Sequence, residues 1–227
     1  VRLEPAFCCY APPHEAPPVA PLPAQRNGFI TFGSLHKLEK LNNTVLDVWA
    51  RILKALPSAR LLVCRHVMTG RTAALMQERF VQRGVDPAQL VLKSTEPIAL
   101  RHLRVYDDVD IALDPWPWNG HTTACEGLWM GVPVVALRGD RHASRMTASV
   151  LSCLGLNHWI ADMTDEYVGR AIAWANRIPD LARLRADLRE RVRQSPLCDA
   201  ARFRRGLHQA YRQMWQRWCE TAKRAEA

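Results

Sequence analysis

The chain of 227 residues carries a formal net charge of +9, with 48% hydrophobic and 23% charged residues. That balance suits a globular protein with one large core or two small ones, and argues against a disordered or fibrous chain. No run of about 18 apolar residues marks a membrane span, and the start VRLEPAFCCY lacks the basic-then-apolar order of a signal peptide. Opening on Val inside what reads as continuing sequence, the chain is expected to be a segment of something longer.

Seven Cys, at positions 8, 9, 64, 125, 153, 198 and 219, are odd in number and scattered. They form neither a disulfide framework nor the paired spacing of a zinc site, so they read as buried thiols in a reducing, cytoplasmic setting. The adjacent Cys8 and Cys9 are expected to point to opposite faces of an extended segment. The basic excess lies mostly in the last third, at Arg183, Arg185, Arg189, Arg191, Arg193, Arg202, Arg204 and Arg205. It reads as a solvated helix face in preference to a nucleic-acid stripe.

In chain order, residues 1–27 are rich in Pro and Ala without sustained periodicity, and read as an extended connection. Residues 28–33, GFITFG, form a β-branched and aromatic run closed by Gly, the first strand. A loop with His36, Lys37 and Lys40 follows. Asn43 and Thr44 can cap a helix whose apolar positions Val45, Leu46, Val48, Trp49, Ile52, Leu53 and Leu56 recur at three and four, until Pro57 stops it. Residues 59–65 are the second strand. The alternation then predicts a helix over 71–83 stopped by Gly84, a strand over 90–93, a helix over 97–106 and a strand over 110–113. Beyond the central loop it continues with a strand at 133–137, a helix near 144–154 and a short strand at 158–161.

From residue 165 only helix signals remain. They end in a long amphipathic stretch over 203–222 that carries Leu207, Tyr211, Met214, Trp215 and Trp218 on one side, a stripe that needs a cover. Short strands alternating with helices imply a doubly wound, mostly parallel α/β sheet with right-handed crossovers. The sequence has no GxGxxG after the first strand, which argues against a dinucleotide cofactor.

The stretch 110–135, DIALDPWPWNGHTTACEGLWMGVPVV, organises the rest. A strand ending in Asp114, a loop of Pro, Trp, Asn and Gly, and a helix opening at His121, Thr122 and Thr123 make a natural anion site. The first N–H groups of a helix have no partner within it, and the helix dipole favours negative charge there. In a doubly wound sheet, ligands sit at the carboxyl ends of the strands near the switch point. That rule gathers Lys37, Lys40, His102, His121, Thr122 and Thr123 around one site fit for a diphosphate without a metal. Each has a plainer reading as a solvated residue, core histidine or helix cap. Asp110 and Asp114 at a strand end read as structural, since neither has a paired carboxylate at a defensible spacing.

Three collinear segments, FGSLHKLEKLNNTVLDVWARILKALPSARLLV, LDPWPWNGHTTACEGLWMGVPVVALRGDRHASR and SPLCDAARFRRGLHQAYRQMWQRW, resemble the carboxyl-terminal half of the catalytic region of O-linked N-acetylglucosamine transferases, the SPINDLY-related family, in its bacterial form. The resemblance implies a GT-B architecture of two Rossmann-like lobes, often preceded by a tetratricopeptide array. This chain would be the second lobe, residues 28–227 with its carboxyl-terminal helices, and 1–27 would be the interlobe connection or the tail of the preceding lobe. By position, the resemblance gives Lys40 the donor diphosphate as catalytic lysine, with Lys37 near the same group. It packs His102 on uracil, places His121, Thr122 and Thr123 in the phosphate turn, brings Glu126 to the ribose and sets Trp118 beside the sugar. Ala99 and Val105 depart from the basic residues that animal relatives carry near the base.

The activity so implied is inverting transfer of N-acetylglucosamine from UDP-GlcNAc to Ser or Thr hydroxyls of acceptor proteins, with no cofactor and no metal. This chain alone would be an incomplete catalytic unit. The alternatives are a related transferase using another donor such as glucose or fucose, and a basic nucleic-acid-binding module.

Overall fold

The computed structural model describes residues 3, 4, 6–95 and 101–225, the side chains of 101 and 222–225 excepted. Six strands form one parallel sheet in the order β3-β2-β1-β4-β5-β6. A short helix α1 (Pro23–Asn27) leads into β1 (Thr31–Ser34), and α2 (Asn43–Ala55), β2 (Arg60–Cys64), α3 (Gly70–Val81) and β3 (Leu90–Lys93) build outward on one side. The chain then crosses back through a 3-10 helix (Arg101–Asp108) to β4 (Ile111–Leu113). From there α4 (Thr122–Trp129), β5 (Val134–Leu137), α5 (Met146–Cys153) and β6 (Ile160–Ala161) build outward on the other side. Three helices follow: α6 (Thr164–Ala175), α7 (Ile178–Gln194) and α8 (Ala200–Ala225).

The strands are short apolar runs because the sheet is covered on both faces. Right-handed crossovers in the two directions place α2 and α3 on one face and α4 and α5 on the other. α6 packs on α2, and α7 on α4, completing the two layers. β1 lies at the centre, with Phe32 paired to Leu61 of β2 and to Ile111 of β4. Gly33 is required there, since a Cβ would lie 2.5 Å from Val109 Cγ1. The direction of winding reverses between β1 and β4, so the loops after these two strands flank the crevice where such sheets bind ligands.

Three local expectations are corrected. The cap of α2 is Asn42, whose side chain accepts from Val45 N at 3.0 Å, and Asn43 is already helical. Residues 101–108 wind as a 3-10 helix instead of an α-helix, and 97–100 lie outside the described residues. Residues 23–27, read as extended, are helical: Pro23 fits the first turn, where a missing N–H costs nothing, and Gly28 at φ 74° ends it.

The segment before α1 lies on this same unit. Tyr10 N donates to Leu197 O at 2.8 Å, Arg189 donates to Pro17 O at 2.7 Å, and Ala6 and Leu22 are buried. Arg185 is buried too, against the expectation of a solvated basic face. Its guanidinium donates to the carbonyls of Ala20, Val109 and Tyr106, which ties α7 to the N-terminal segment and to the end of the 3-10 helix. Arg189 also donates to Trp129 O. These two arginines serve the fold, and Arg183 and Arg193 pair with Asp180 and Glu190. The apolar side of α8 is open: Trp215 and Trp218 are 63% and 62% exposed and stacked on each other.

Candidate functional site

The loop after β1 descends through buried Leu35 and His36 into a 3-10 turn at Leu38–Lys40. That turn brings Lys40, four residues beyond His36, back over the loop after β4. Lys40 Nζ donates to Asn119 O at 2.7 Å and lies 4.6 Å from the centroid of the Trp118 ring. Burial lowers the lysine pKa, the carboxylate of Asp114 raises it and the charge of Lys37 lowers it again. Lys37 itself is exposed. Asn42 adds a second tie between the two loops, its Nδ2 donating to Trp116 O at 2.7 Å.

The loop after β4 is fixed from within. Asp114 Oδ1 accepts the Gly120 N–H at 2.6 Å, Asn119 Nδ2 donates to Pro115 O, and Thr147 Oγ1 donates to Gly120 O. Below it, Tyr167 Oη donates to Asp114 O, and the Tyr167 ring meets Trp116 at 5.2 Å. The Trp116–Pro117 peptide is cis. Trp118, at the loop tip, is exposed.

α4 begins at Thr122 with His121 as its cap, and no side chain takes the cap hydrogen bond. Cys125 N donates to His121 O at 3.1 Å, so the N–H groups of Thr122, Thr123 and Ala124 precede the helical ladder and stay available to an anion. The hydroxyl-bearing Thr122 is exposed and Thr123 half-buried, with the Thr123 carbonyl accepting from Tyr106 Oη. The His121 ring packs on Phe7 at 5.0 Å, and its pKa is lowered by burial and by the neighbouring His142 and Lys40. His121, His142 and Lys40 therefore lie close enough to repel one another when charged, an arrangement that an anionic ligand relieves.

His102, on the 3-10 helix before β4, places Nε2 3.2 Å from Glu126 Oε1. The hydrogen bond that His102 donates to Glu126 raises the histidine pKa, against the effect of burial. The two residues read separately from the sequence thus form one pair at the edge of the site. Val105 is buried, and Ala99 lies outside the described residues.

The structure brings Lys40, Trp118, His121, Thr122 and Thr123 together at the switch point, with the His102–Glu126 pair joining α4 to the 3-10 helix before β4. Lys37 stands apart as a solvent-facing neighbour. Sequence reasoning missed His142, which lies in the quoted segment GDRHASR but was given no role; Phe7 touches both it and His121. It also missed how closely His36 is tied to Asp114, at 3.2 Å. Asp110 and Asp114 are both fully buried and held by backbone N–H groups, in keeping with structural roles. Among the described residues, no group of three or more His, Cys, Asp or Glu side chains is arranged to hold a metal ion, and no helix is long and apolar enough to cross a membrane.

This geometry has close relatives. A solved O-GlcNAc transferase mutant from Thermobaculum terrenum superposes with a TM-score of 0.87 at 37% identity, covering 98% of this chain and 42% of that one. Sucrose-phosphate synthase from Thermosynechococcus elongatus, at 19% identity and a TM-score of 0.57 over 92% of this chain and 52% of that one, shares the fold. The sheet thus has the Rossmann-like fold of a GT-B lobe. A probable UDP-N-acetylglucosamine–peptide N-acetylglucosaminyltransferase SPINDLY from Solanum lycopersicum is 42% identical over 221 residues, 97% of this chain and 24% of the relative. The UDP-N-acetylglucosamine–peptide N-acetylglucosaminyltransferase of Caenorhabditis elegans is 31% identical over 189 residues, 83% of this chain and 16% of that protein. The chain therefore spans about a quarter or less of the length of these two curated relatives. The family model described as glycosyl transferase family 41 matches residues 22–207, and this chain belongs to that family.

Proposed function

We propose that this chain is the nucleotide-sugar-binding lobe of an inverting glycosyltransferase that moves N-acetylglucosamine from UDP-GlcNAc to Ser or Thr hydroxyls of proteins. The observation that carries the reading is the convergence of the Lys40 ammonium, two threonines and three N–H groups that precede the helical ladder at the sheet's switch point. Such a set suits a diphosphate. The names of the relatives support UDP-GlcNAc as donor and peptide as acceptor.

In the reaction the acceptor oxygen bonds to the anomeric carbon from the face opposite UDP, and the bond from that carbon to the β-phosphate oxygen breaks. The electron pair leaves on UDP. Negative charge grows on the β-phosphate, so Lys40, the turn hydroxyls of Thr122 and Thr123 and the N-terminus of α4 stabilise the transition state more than the ground state. His121 lines the same turn and offers a ring nitrogen to the donor. His102 offers a ring face to the base, Glu126 a carboxylate to the ribose, and Trp118 a wall for the sugar. The acceptor proton passes to a base on the preceding lobe or to the donor phosphate itself.

On this reading residues 1–27 are the interlobe connection, 28–227 the donor lobe, and the partners are a preceding catalytic lobe, tetratricopeptide repeats and cytoplasmic acceptor proteins. No cofactor and no metal take part. Calorimetric titration of this chain with UDP and UDP-GlcNAc tests the reading. Saturable binding without sugar transfer is expected, and selective competition by UDP should persist as salt rises. Absence of UDP binding, or affinity for nucleic acid that falls linearly in log salt, would replace it with the basic-module reading. A panel of nucleotide sugars separates GlcNAc from glucose or fucose as the donor.

A further inference from the structure

Ser34, His36 and Asp114 form a buried row beneath the site. They are 1%, 3% and 0% exposed. Ser34 Oγ lies 3.0 Å from His36 Nδ1, and His36 Nε2 lies 3.2 Å from Asp114 Oδ1. The same Oδ1 accepts the Gly120 N–H at 2.6 Å. One carboxylate oxygen thus bonds the turn that opens α4 and stands beside the imidazole of the loop that leads to Lys40. The residue types are those of a hydrolytic triad, but this hydroxyl is sealed from solvent, and a nucleophile has to reach its substrate.

The contact is tight. A Cβ on Gly120 would stand 2.7 Å from His36 Nε2 and 2.9 Å from Asp114 Oδ1, so the imidazole is pressed against the backbone of the turn. Around it, His36 Nε2, Asp114 Oδ2 and Asn119 Oδ1 are buried without a hydrogen-bond partner; Nε2 is near Asp114 but off the hydrogen-bond line. Unpaired buried polar atoms are unfavourable. His36 Nδ1 has the Ser34 hydroxyl as its partner, but three unpaired atoms gathered at one turn point to a role in the site above.

We infer that His36 is a positioning residue. It braces the loop after β1 against the Asn119–Gly120 turn and thereby keeps the Lys40 ammonium on the Asn119 carbonyl, aligned with the N-terminus of α4. This rests on the reading of Lys40 as the diphosphate lysine. His36 itself touches no donor atom. A long, flexible ammonium side chain that is already placed loses less freedom when an anion arrives, and that is the advantage the brace confers.

Competitive acetylation of the lysine amines in the ligand-free chain tests the brace without reference to any substrate. In the wild type, Lys40 should react more slowly than exposed Lys37. His36→Phe should bring Lys40 to within about twofold of Lys37, while His36→Gln, whose amide reaches toward the place of Nε2, should restore most of the protection. UDP titration gives the second arm. His36→Phe should weaken binding about tenfold, yet change it by less than about twofold in a Lys40→Ala background, because a residue that acts through Lys40 has nothing left to position. If His36→Phe fails to melt cooperatively, His36→Leu takes its place in both arms. A folded His36 variant with Lys40 still protected, or losses from His36 and Lys40 that simply add, would overturn the inference. A wild-type chain that ignores UDP would instead remove the donor reading, and the acetylation arm would still decide whether His36 positions Lys40.

Discussion

Lys40 Nζ is bonded to the carbonyl oxygen of Asn119 at 2.7 Å, across 79 positions of sequence, with the Trp118 ring beside the same ammonium. The lysine is therefore placed by the protein before any anion arrives. On the proposed reading it exchanges a neutral carbonyl for a charged ligand at the moment of binding. Preorganised charge of this kind acts most strongly where charge develops during reaction.

Lys40→Ala in the complete enzyme should accordingly remove most transfer while changing donor affinity less. Loss of one such group costs about 3–4 kcal/mol of transition-state stabilisation, roughly two to three orders of magnitude in kcat. In the proposed complex the ground-state diphosphate would keep the N–H groups of α4 and the two threonine hydroxyls. Lys37→Ala is the control, and solvent around its side chain should make its effect milder. Steady-state kinetics of both variants check this, and a crippled Lys37→Ala beside a nearly silent Lys40→Ala would reassign the diphosphate lysine.

The His102–Glu126 pair carries a pH signature. The hydrogen bond that His102 donates to Glu126 raises the His102 pKa above 6.5. A raised histidine stabilises the fold below its unfolded value, and that contribution is lost as pH rises through the folded value. The ring is half exposed, so the energetic effect is screened and small. NMR titration should place the His102 midpoint above that of an unperturbed histidine, and Glu126→Gln should bring it down. A midpoint indifferent to Glu126 would mean that the pair does not persist in solution.

The alternation of strands and helices was legible because a parallel sheet covered on both faces writes each strand as a short apolar run, as in 59–65 and 90–93, between helical spacings. The turn from β4 into α4 was legible because its ingredients, Asp114 through Thr123, are contiguous. What joins Lys40 to Asn119, His36 to Asp114 and His102 to Glu126 is not contiguous, and only the sheet order 3-2-1-4 sets those loops side by side. The 3-10 winding of 101–108 escaped notice because its apolar spacing also fits an α-helix. Arg185 looked solvated because its three carbonyl partners come from two distant parts of the chain.

Asp110 should govern a separate pH response, one of stability. Its two carboxylate oxygens accept the N–H groups of Ala24 and Thr31 at 2.8 and 2.7 Å, joining α1 and β1 to the start of β4. Burial nevertheless pushes its pKa from 3.8 up to about 6, the N–H groups and Arg185 opposing. Between those values the folded state binds more protons than the unfolded, so this group's contribution to stability falls as pH rises from about 4 to 6 and stays low above that. The whole fall is on the order of 3 kcal/mol. Denaturant unfolding of the wild type and Asp110→Asn from pH 4 to pH 7 isolates it, since the amide cannot ionise. Stability curves that run parallel would show that Asp110 is not the source.

Trp215 and Trp218 offer a test of what α8 is for. At 63% and 62% exposure the two rings give almost nothing to the core of this unit, and their contact is chiefly with each other, at 5.1 Å between centroids. Replacing both with Ala should therefore change the unfolding free energy of this chain by less than about 1 kcal/mol, the range of surface substitutions that break no specific feature. It should also remove the most readily acrylamide-quenched part of the tryptophan fluorescence. In the complete enzyme the same two rings should be protected from acrylamide, because the proposed preceding lobe would cover the stripe formed by Tyr211, Met214, Trp215 and Trp218. There the double substitution should weaken lobe association and lower transfer without weakening UDP binding to this lobe. Strong destabilisation of the isolated chain would show instead that the stripe belongs to this unit's own core. Equal quenching in both proteins would show that nothing covers it.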